Sequence, residues 1–336
     1  MAGHCPGCCW GVAGALCACD GCRETGVGVK ASTWLPVLEA LAAGQPLSGE
    51  VLGTRLGVTR AAIWQRVQYL MQLGVPIVTS DAGYRVEVPL YLPDLKCLAA
   101  ELTHPVECLP EVDSTNSLLM QGDGSNRTLF TLYQKSGRGR RGRTWVGAPG
   151  LCLMGSLARV IAIPAHGIHM LPIGVGVRIC QYLNALGVTA RLKWPNDLWI
   201  GDQKLAGFLC EVRGDLQDQA SVVVGLGLNL YASTDLPETA THWAAHTDVL
   251  WTDRQTIGVI EAIETALTTD LNAGSDAMQT AYAEVSVLEG RPVTIATGSG
   301  RLEGIAQGID TSGRLQVLTE TGLQVVSAGD VSVRPQ

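Results

Sequence analysis

From Trp34 to Val88 the apolar positions fall on three successive helical faces and then on a pair of short strands. Leu35, Leu38, Leu41 and Ala42 share one face, and Gly44 with Pro46 closes that segment. Ser48 is placed to cap a short helix carrying Val51, Leu52 and Leu56. Gly57-Val58 then supplies a tight turn, and Thr59 can cap a longer helix bearing Ala62, Ile63, Val67 and Leu70. Short helix, glycine turn, second helix over Gly49–Gln68 is the helix-turn-helix spacing. Pro76–Thr79 and Tyr84–Val88, flanking Ser80-Asp81-Ala82-Gly83, predict a hairpin or wing. Such a unit lays residues 59–68 into a DNA major groove. Residues 31–90 carry four arginines (55, 60, 66, 85) against four acids (39, 50, 81, 87). That balance leaves protein contact as the competing use, because phosphate neutralisation dominates DNA affinity.

Pro89–Pro93 reads as a linker. Beyond it, strand-like runs at Leu129–Gln134, Leu151–Ala158, Arg191–Trp194, Gly207–Val212 and Val222–Leu230 alternate with two helical patterns. Ile173, Val177, Cys180 and Leu183 mark one helix; Ile257, Ile260, Ile263 and Leu267 mark the other. A mixed sheet covered by helices is expected over 91–287. From 288 the texture changes to short strands punctuated by Gly298, Gly300, Gly313 and Gly322, as a small β-barrel requires. The chain is thus expected to be α+β, divided at 31–90, 91–287 and 288–336.

Composition narrows the function. The net charge of −7 offers no global attraction for nucleic acid or an anionic membrane, so any anion site must be local. No apolar run reaches the roughly 18 residues of a membrane span, and no basic-then-apolar signal peptide opens the chain. A cytoplasmic protein without membrane association is expected. Six of the eleven cysteines crowd into residues 1–30, where Cys5-x-x-Cys8 and Cys19-x-x-Cys22 have zinc-knuckle spacing beside His4. The gap between the pairs is short for a zinc ribbon and is filled by Gly and Ala. The expectation is therefore a disordered leader without a tightly bound metal, or an upstream extension ahead of a natural start near Val29-Lys30.

Local chemistry begins with Lys135-Ser-Gly-Arg-Gly-Arg-Arg-Gly-Arg143, which packs five cations and three glycines into nine residues with no acid. Glycine lets amide N–H groups approach an anion, and arginine adds planar bidentate donors. The loop suits a triphosphate and its pyrophosphate leaving group, although a nucleic-acid contact has a similar composition. Lys193-Trp-Pro-Asn-Asp197 and Lys204-Leu-Ala-Gly207 flank a hairpin through Gly201-Asp202. A lysine there can neutralise a carboxylate and an α-phosphate together, while Asn196 and Asp197 can help hold Mg²⁺. Asp113-Ser114-Thr115-Asn116 serves either as a helix cap or as polar groups aimed at a ligand. Val222–Leu230 is a buried strand whose glycines permit close approach, with Asn229 at its end.

In this order, Gly137–Gly142, Lys193–Asp197, Lys204–Gly207 and Gly227-Leu-Asn229 resemble the bacterial biotin–protein ligases that double as biotin operon repressors. The resemblance runs from about residue 35 to 333. It implies a winged helix, a catalytic domain of the biotin/lipoate ligase type and an SH3-like C-terminal barrel. It implies that Ser114, Thr115, Asn116 and Gln134 hold the biotin ureido ring, with Arg138, Gly139 and Arg140 folding over its carboxylate. Lys204 and Arg140 become the catalytic cations. Arg140, Arg143, Lys193, Asn196, Asp197, Asn229 and Trp243 become nucleotide contacts, and Thr59, Arg60, Gln65 and Arg66 DNA contacts. Biotin and MgATP would then give biotinyl-5′-AMP, which labels a lysine of a biotin carboxyl carrier protein. Operator DNA and a homodimer formed on adenylate binding are the further implied partners. A lipoate ligase, and an adenylate-sensing DNA regulator with weak transfer, remain the alternatives. The wing lacks a Lys or Arg at its Asp81-Ala82-Gly83 tip, where the family's pattern has one.

Overall fold

The computed structural model describes residues 33–163, 167–214, 219–270, 275–297, 300–327 and 330–333, and the cysteine-rich leader lies outside them. The chain divides into two compact units, meeting between Pro89 and Leu90.

In the first unit, α1 (Leu35–Leu41), α2 (Gly49–Leu56) and α3 (Arg60–Gln72) precede a hairpin of β1 (Ile77–Ser80) and β2 (Gly83–Val86). The sequence explains each boundary. Ser48 Oγ accepts from Val51 N at 3.1 Å and Thr59 Oγ1 from Ala62 N at 3.2 Å. Each cap stabilises its helix by about 1 kcal/mol. Gly57 ends α2 in the left-handed region at φ 65°, which a side chain would resist. Val37, Leu38, Leu41, Leu52, Ile63, Val67 and Leu70 are fully buried, so the three apolar faces meet in one core. The wing is tighter than expected: Ser80 pairs with Gly83, and β2 ends at Val86 rather than Val88.

The second unit holds a seven-stranded sheet ordered β3-β4-β7-β11-β10-β9-β8. These strands are β3 (Val106–Val112), β4 (Arg127–Gln134), β7 (Cys152–Ile161), β8 (Arg191–Lys193), β9 (Asp197–Ile200), β10 (Gln203–Gly214) and β11 (Ala220–Asn229). Two-residue strands β5 (Gly137–Arg138) and β6 (Thr144–Trp145) pair apart from it. Only β3 and β4 run parallel; the other pairings are antiparallel. Helices α4 (Leu95–Glu101), α5 (Thr115–Gln121), α6 (Gly167–Ala185), α7 (Asp253–Thr268) and α8 (Ser275–Val285) complete the layer. Every expected strand and both expected helices are present. The strand β3 and helices α4 and α8, which have short or weak apolar patterns, went unread.

Alternation along β10 and β11 assigns the two faces of the sheet. Phe208 and its partner Leu226 lie on the face that α6 covers, where Gly176 leaves room for the Phe208 ring. Gly207, Leu209, Glu211, Gly225 and Gly227 lie on the other. The buried Arg159 of β7 pairs with Glu264 of α7, and Arg178 of α6 with Asp270 at 2.6 Å, fixing the helices in place.

The C-terminal segment forms an antiparallel sheet ordered β15-β14-β13-β12-β16, from β12 (Pro292–Thr297), β13 (Gly300–Ile309), β14 (Leu315–Thr319), β15 (Gly322–Val326) and β16 (Asp330–Val333). Closure into a barrel would need the edge strands β15 and β16 to pair, and no such pairing occurs among the described residues. The described residues of this segment thus form a five-stranded antiparallel sheet. Among the described residues no helix is long and apolar enough to cross a membrane.

Candidate active site

Three glycines prepare the face of β10 and β11 opposite α6 as a floor. Gly207 and Gly227 are register partners, and Gly225 faces Leu209. A Cβ on Gly225 would lie 1.9 Å from Asn116 Oδ1, one on Gly227 2.2 Å from the Trp145 ring, and one on Gly207 3.0 Å from Lys204 Nζ. Three separate sequence clusters therefore converge on this floor because no side chain intervenes.

Ser114 caps α5, its Oγ accepting from Ser117 N at 3.3 Å, and Thr115 and Asn116 are buried behind it. Ser156 Oγ stands 2.7 Å from Thr115 Oγ1 and 2.6 Å from Asn116 Oδ1. Gln134 Oε1 accepts from both the N–H and the hydroxyl of Thr115, at 2.9 and 3.2 Å. The turn is both a helix cap and part of a buried polar network.

The cationic loop lines a cleft of about 510 Å³ whose wall includes Arg138, Arg140, Arg143, Leu209 and Glu211. Two carboxylates hold its leading stem: Lys135 pairs with Glu111 at 2.6 Å, and Arg138 with Glu211 at 3.0 Å. Gly139 N donates to Arg143 O at 2.7 Å, folding the loop on itself, and Arg141 is held at φ 56°. After the loop, Trp145 pairs with Gly137 and lays its ring on Gly227. Its Nε1 is buried without an acceptor among the described residues. Burial pushes the thiol of the neighbouring Cys210 up to about 12, while Arg140 pulls the other way. Cys210 therefore stays protonated and is no nucleophile near pH 7.

Lys204 sits on the same floor, 2.6 Å from Asp197 Oδ1 and 5.9 Å from the Trp145 ring centroid. Lys193 lies 4.0 Å over the Trp199 ring. Asn196 Nδ2 donates to Phe208 O at 2.6 Å, so its amide also fastens β9 to β10. Asn229 is buried and donates to Thr241 O at 3.0 Å, tying β11 to the segment that holds Trp243. Trp243 is fully buried; its Nε1 donates to Val249 O at 2.6 Å and its ring meets Trp251 edge-on at 5.1 Å. No group of three or more His, Cys, Asp or Glu is arranged for a metal among the described residues.

Sequence reasoning missed Ser156 and Glu211. Ser156 had no local signal inside an apolar strand. Glu211 was visible as the acid that continues the alternation Gly207, Leu209, Glu211 on the floor side. In the first unit, Thr59 spends its hydroxyl on the cap, Arg60 and Gln65 are exposed, and Arg66 is half-buried. Trp64 stands between them, 54% exposed.

A floor of glycines under a cationic loop and a lysine, joined to a helix-turn-helix unit, defines the class. Residues 109–229 match the Biotin/lipoate A/B protein ligase family, residues 290–334 the Biotin protein ligase C terminal domain, and residues 34–85 an HTH domain. The chain is 33% identical to the bifunctional ligase/repressor BirA of Escherichia coli strain K12, over 89% of this chain and 97% of that one. The bifunctional ligase/repressor of Salmonella typhimurium matches at the same identity and coverage. A biotin protein ligase from Aquifex aeolicus, solved in complex with biotin and ATP, shares 26% identity at a TM-score of 0.60, covering 69% of this chain and 99% of that one. This chain belongs to the biotin–protein ligases that carry a helix-turn-helix repressor domain.

Proposed function

We propose that the chain joins biotin to MgATP as biotinyl-5′-AMP with release of pyrophosphate, then transfers biotin to a lysine of a biotin carboxyl carrier protein. The observation that carries this reading is the convergence of Lys204, Trp145 and the turn at 114–116 on one glycine floor beside the arginine loop. Bringing a carboxylate against a phosphate needs concentrated fixed positive charge, which costs no reorganisation when already in place. Ser114, Thr115, Asn116 and Gln134 take the ureido ring. Arg138, Gly139 and Arg140 close over the carboxylate, while Lys204 bridges it to the α-phosphate. Arg140, Arg143, Lys193, Asn196, Asp197, Asn229 and Trp243 serve the nucleotide. Mg²⁺ arrives with ATP as part of the substrate and screens its phosphates.

The carboxylate oxygen attacks the α-phosphorus and pyrophosphate leaves past the arginines. The carrier amine then attacks the acyl carbon, and AMP departs with the anhydride oxygen. A closed loop keeps water from the anhydride between the two steps. The 288–336 segment is read as the small SH3-like barrel of this family, and 31–90 as a winged helix. Thr59, Arg60, Gln65 and Arg66 approach operator DNA in an adenylate-dependent homodimer in the cytoplasm. Incubation with biotin, MgATP and a carrier domain, followed by intact-mass measurement, should show one biotinyl group on the carrier. A carrier labelled by lipoate in preference to biotin would overturn the substrate assignment.

A further inference from the structure

The two halves of the proposed vitamin site are tied through one side chain with no assigned role. Glu211 projects from β10 onto the glycine floor with its side chain 21% exposed. Its Oε1 faces Arg138 Nη2 at 3.0 Å, and its Oε2 accepts from Arg138 Nη1 at 3.3 Å. The same Oε2 accepts from Asn116 Nδ2 at 3.0 Å. Asn116 turns its other end, Oδ1, to Ser156, which reaches Thr115. One carboxylate therefore grips the loop by a two-point guanidinium contact and orients the amide beneath the turn. Arg138 also reaches Ser117 Oγ at 3.4 Å, so the loop is drawn toward the start of α5.

We propose that Glu211 is a positioning residue that couples occupation of the 114–116 turn to closure of the arginine loop. The proposal rests on the reading of the turn and loop as the biotin site. Five like charges within nine residues repel one another, so the loop's resting position depends on acids that neutralise part of them. Glu111 holds the loop at its outer stem, where Lys135 is more than half exposed. Glu211 holds it against the floor. A ligand that packs the turn fixes Asn116, and Asn116 in turn fixes the carboxylate that Arg138 must find. Signal and grip share a single oxygen.

Glu211→Gln keeps the side chain's volume and an acceptor for Asn116 but removes the charge that holds Arg138. Trypsin cleavage within 138–143, resolved by fragment mass with and without biotin, reads loop closure directly. In the native chain biotin should slow this cleavage. In Glu211→Gln, cleavage without biotin should accelerate by about tenfold, biotin protection should shrink, and the KM for biotin should rise more than kcat falls. A purely structural role would leave cleavage and KM as in the native chain, because the turn keeps its acceptor. That result would overturn the proposal. So would a lowered KM, which would make Glu211 a latch against the ligand. Should Glu211→Gln fail to fold, Arg138→Gln breaks the same contact from the loop side and must release the loop to the same extent. Where both single variants fold, the double variant should be no looser than either one. Failure of biotin to protect the native loop would instead strike the site assignment itself.

Discussion

The arginine loop and the helix-turn-helix unit are both expected to meet phosphates, yet they are built in opposite ways. The loop places five cations in nine residues and recruits two acids, Glu111 and Glu211, to hold them. Helix α3, proposed to read the operator, carries two arginines, Arg60 and Arg66, among Trp64 and Gln65, in a unit whose charges cancel. On the proposed function the loop stabilises charge that develops during a reaction, which rewards density and fixed direction. A DNA-reading helix needs positioning and base-edge contacts, which amides and apolar groups also provide. Charge density thus marks the chemical site and is a poor guide to the recognition surface.

Removing the central cation should break the comparison on the chemical side. Lys204 stands on the floor with Asp197 as its neighbour at 2.6 Å. Lys204→Ala should slow biotin-dependent pyrophosphate release by about 10²–10³-fold, the cost of losing one preorganised donor. Hydrogen-exchange protection of the α3 amides should not change by a comparable factor. Near-native turnover would remove Lys204 from the reaction.

A smaller effect should follow from filling the floor. Gly227→Ala puts a methyl group 2.2 Å from the Trp145 ring, which must shift. Overpacking of this kind costs about 1–3 kcal/mol. Biotin affinity, measured calorimetrically, should weaken at least about fivefold, with the thermal unfolding of the first unit unchanged. Unaltered biotin affinity would show that the Trp145 ring and the vitamin do not share the floor.

How much of this was legible depended on whether a feature was local in sequence. Ser48, Gly57 and Thr59 announced α2 and α3 because caps and left-handed turns act over three or four residues. The arginine loop was legible for the same reason. The convergence of Asn116, Trp145 and Lys204 was not, since it depends on the β10–β11 register that sets Gly207 against Gly227. The strand β3 pairs in parallel with β4 across an intervening helix, α5, and only that pairing reveals it. Glu211 was legible as a lone acid in a strand, but its two partners come from residues 73 and 95 positions away. Trp243 is marked for the nucleotide only by the resemblance; no local signal announces that its ring packs edge-on against Trp251.

Thr59 separates local folding from recognition with the smallest of these changes. Its hydroxyl caps α3 by accepting from Ala62 N, and the resemblance also gives it a DNA contact. Thr59→Ala should lower protection of the α3 amides in hydrogen exchange by about 1 kcal/mol, the ordinary cost of losing such a cap. Exchange at α3 is the proper readout, since the chain has two compact units and a single melting temperature would mix them. Thr59→Ser keeps the capping oxygen and should restore protection to within a few tenths of a kcal/mol. If operator affinity follows protection through both variants, Thr59 acts through the helix it starts. If Thr59→Ser recovers protection while affinity stays low, the methyl group itself meets the DNA, and α3 reads by apolar contact where the loop binds by charge.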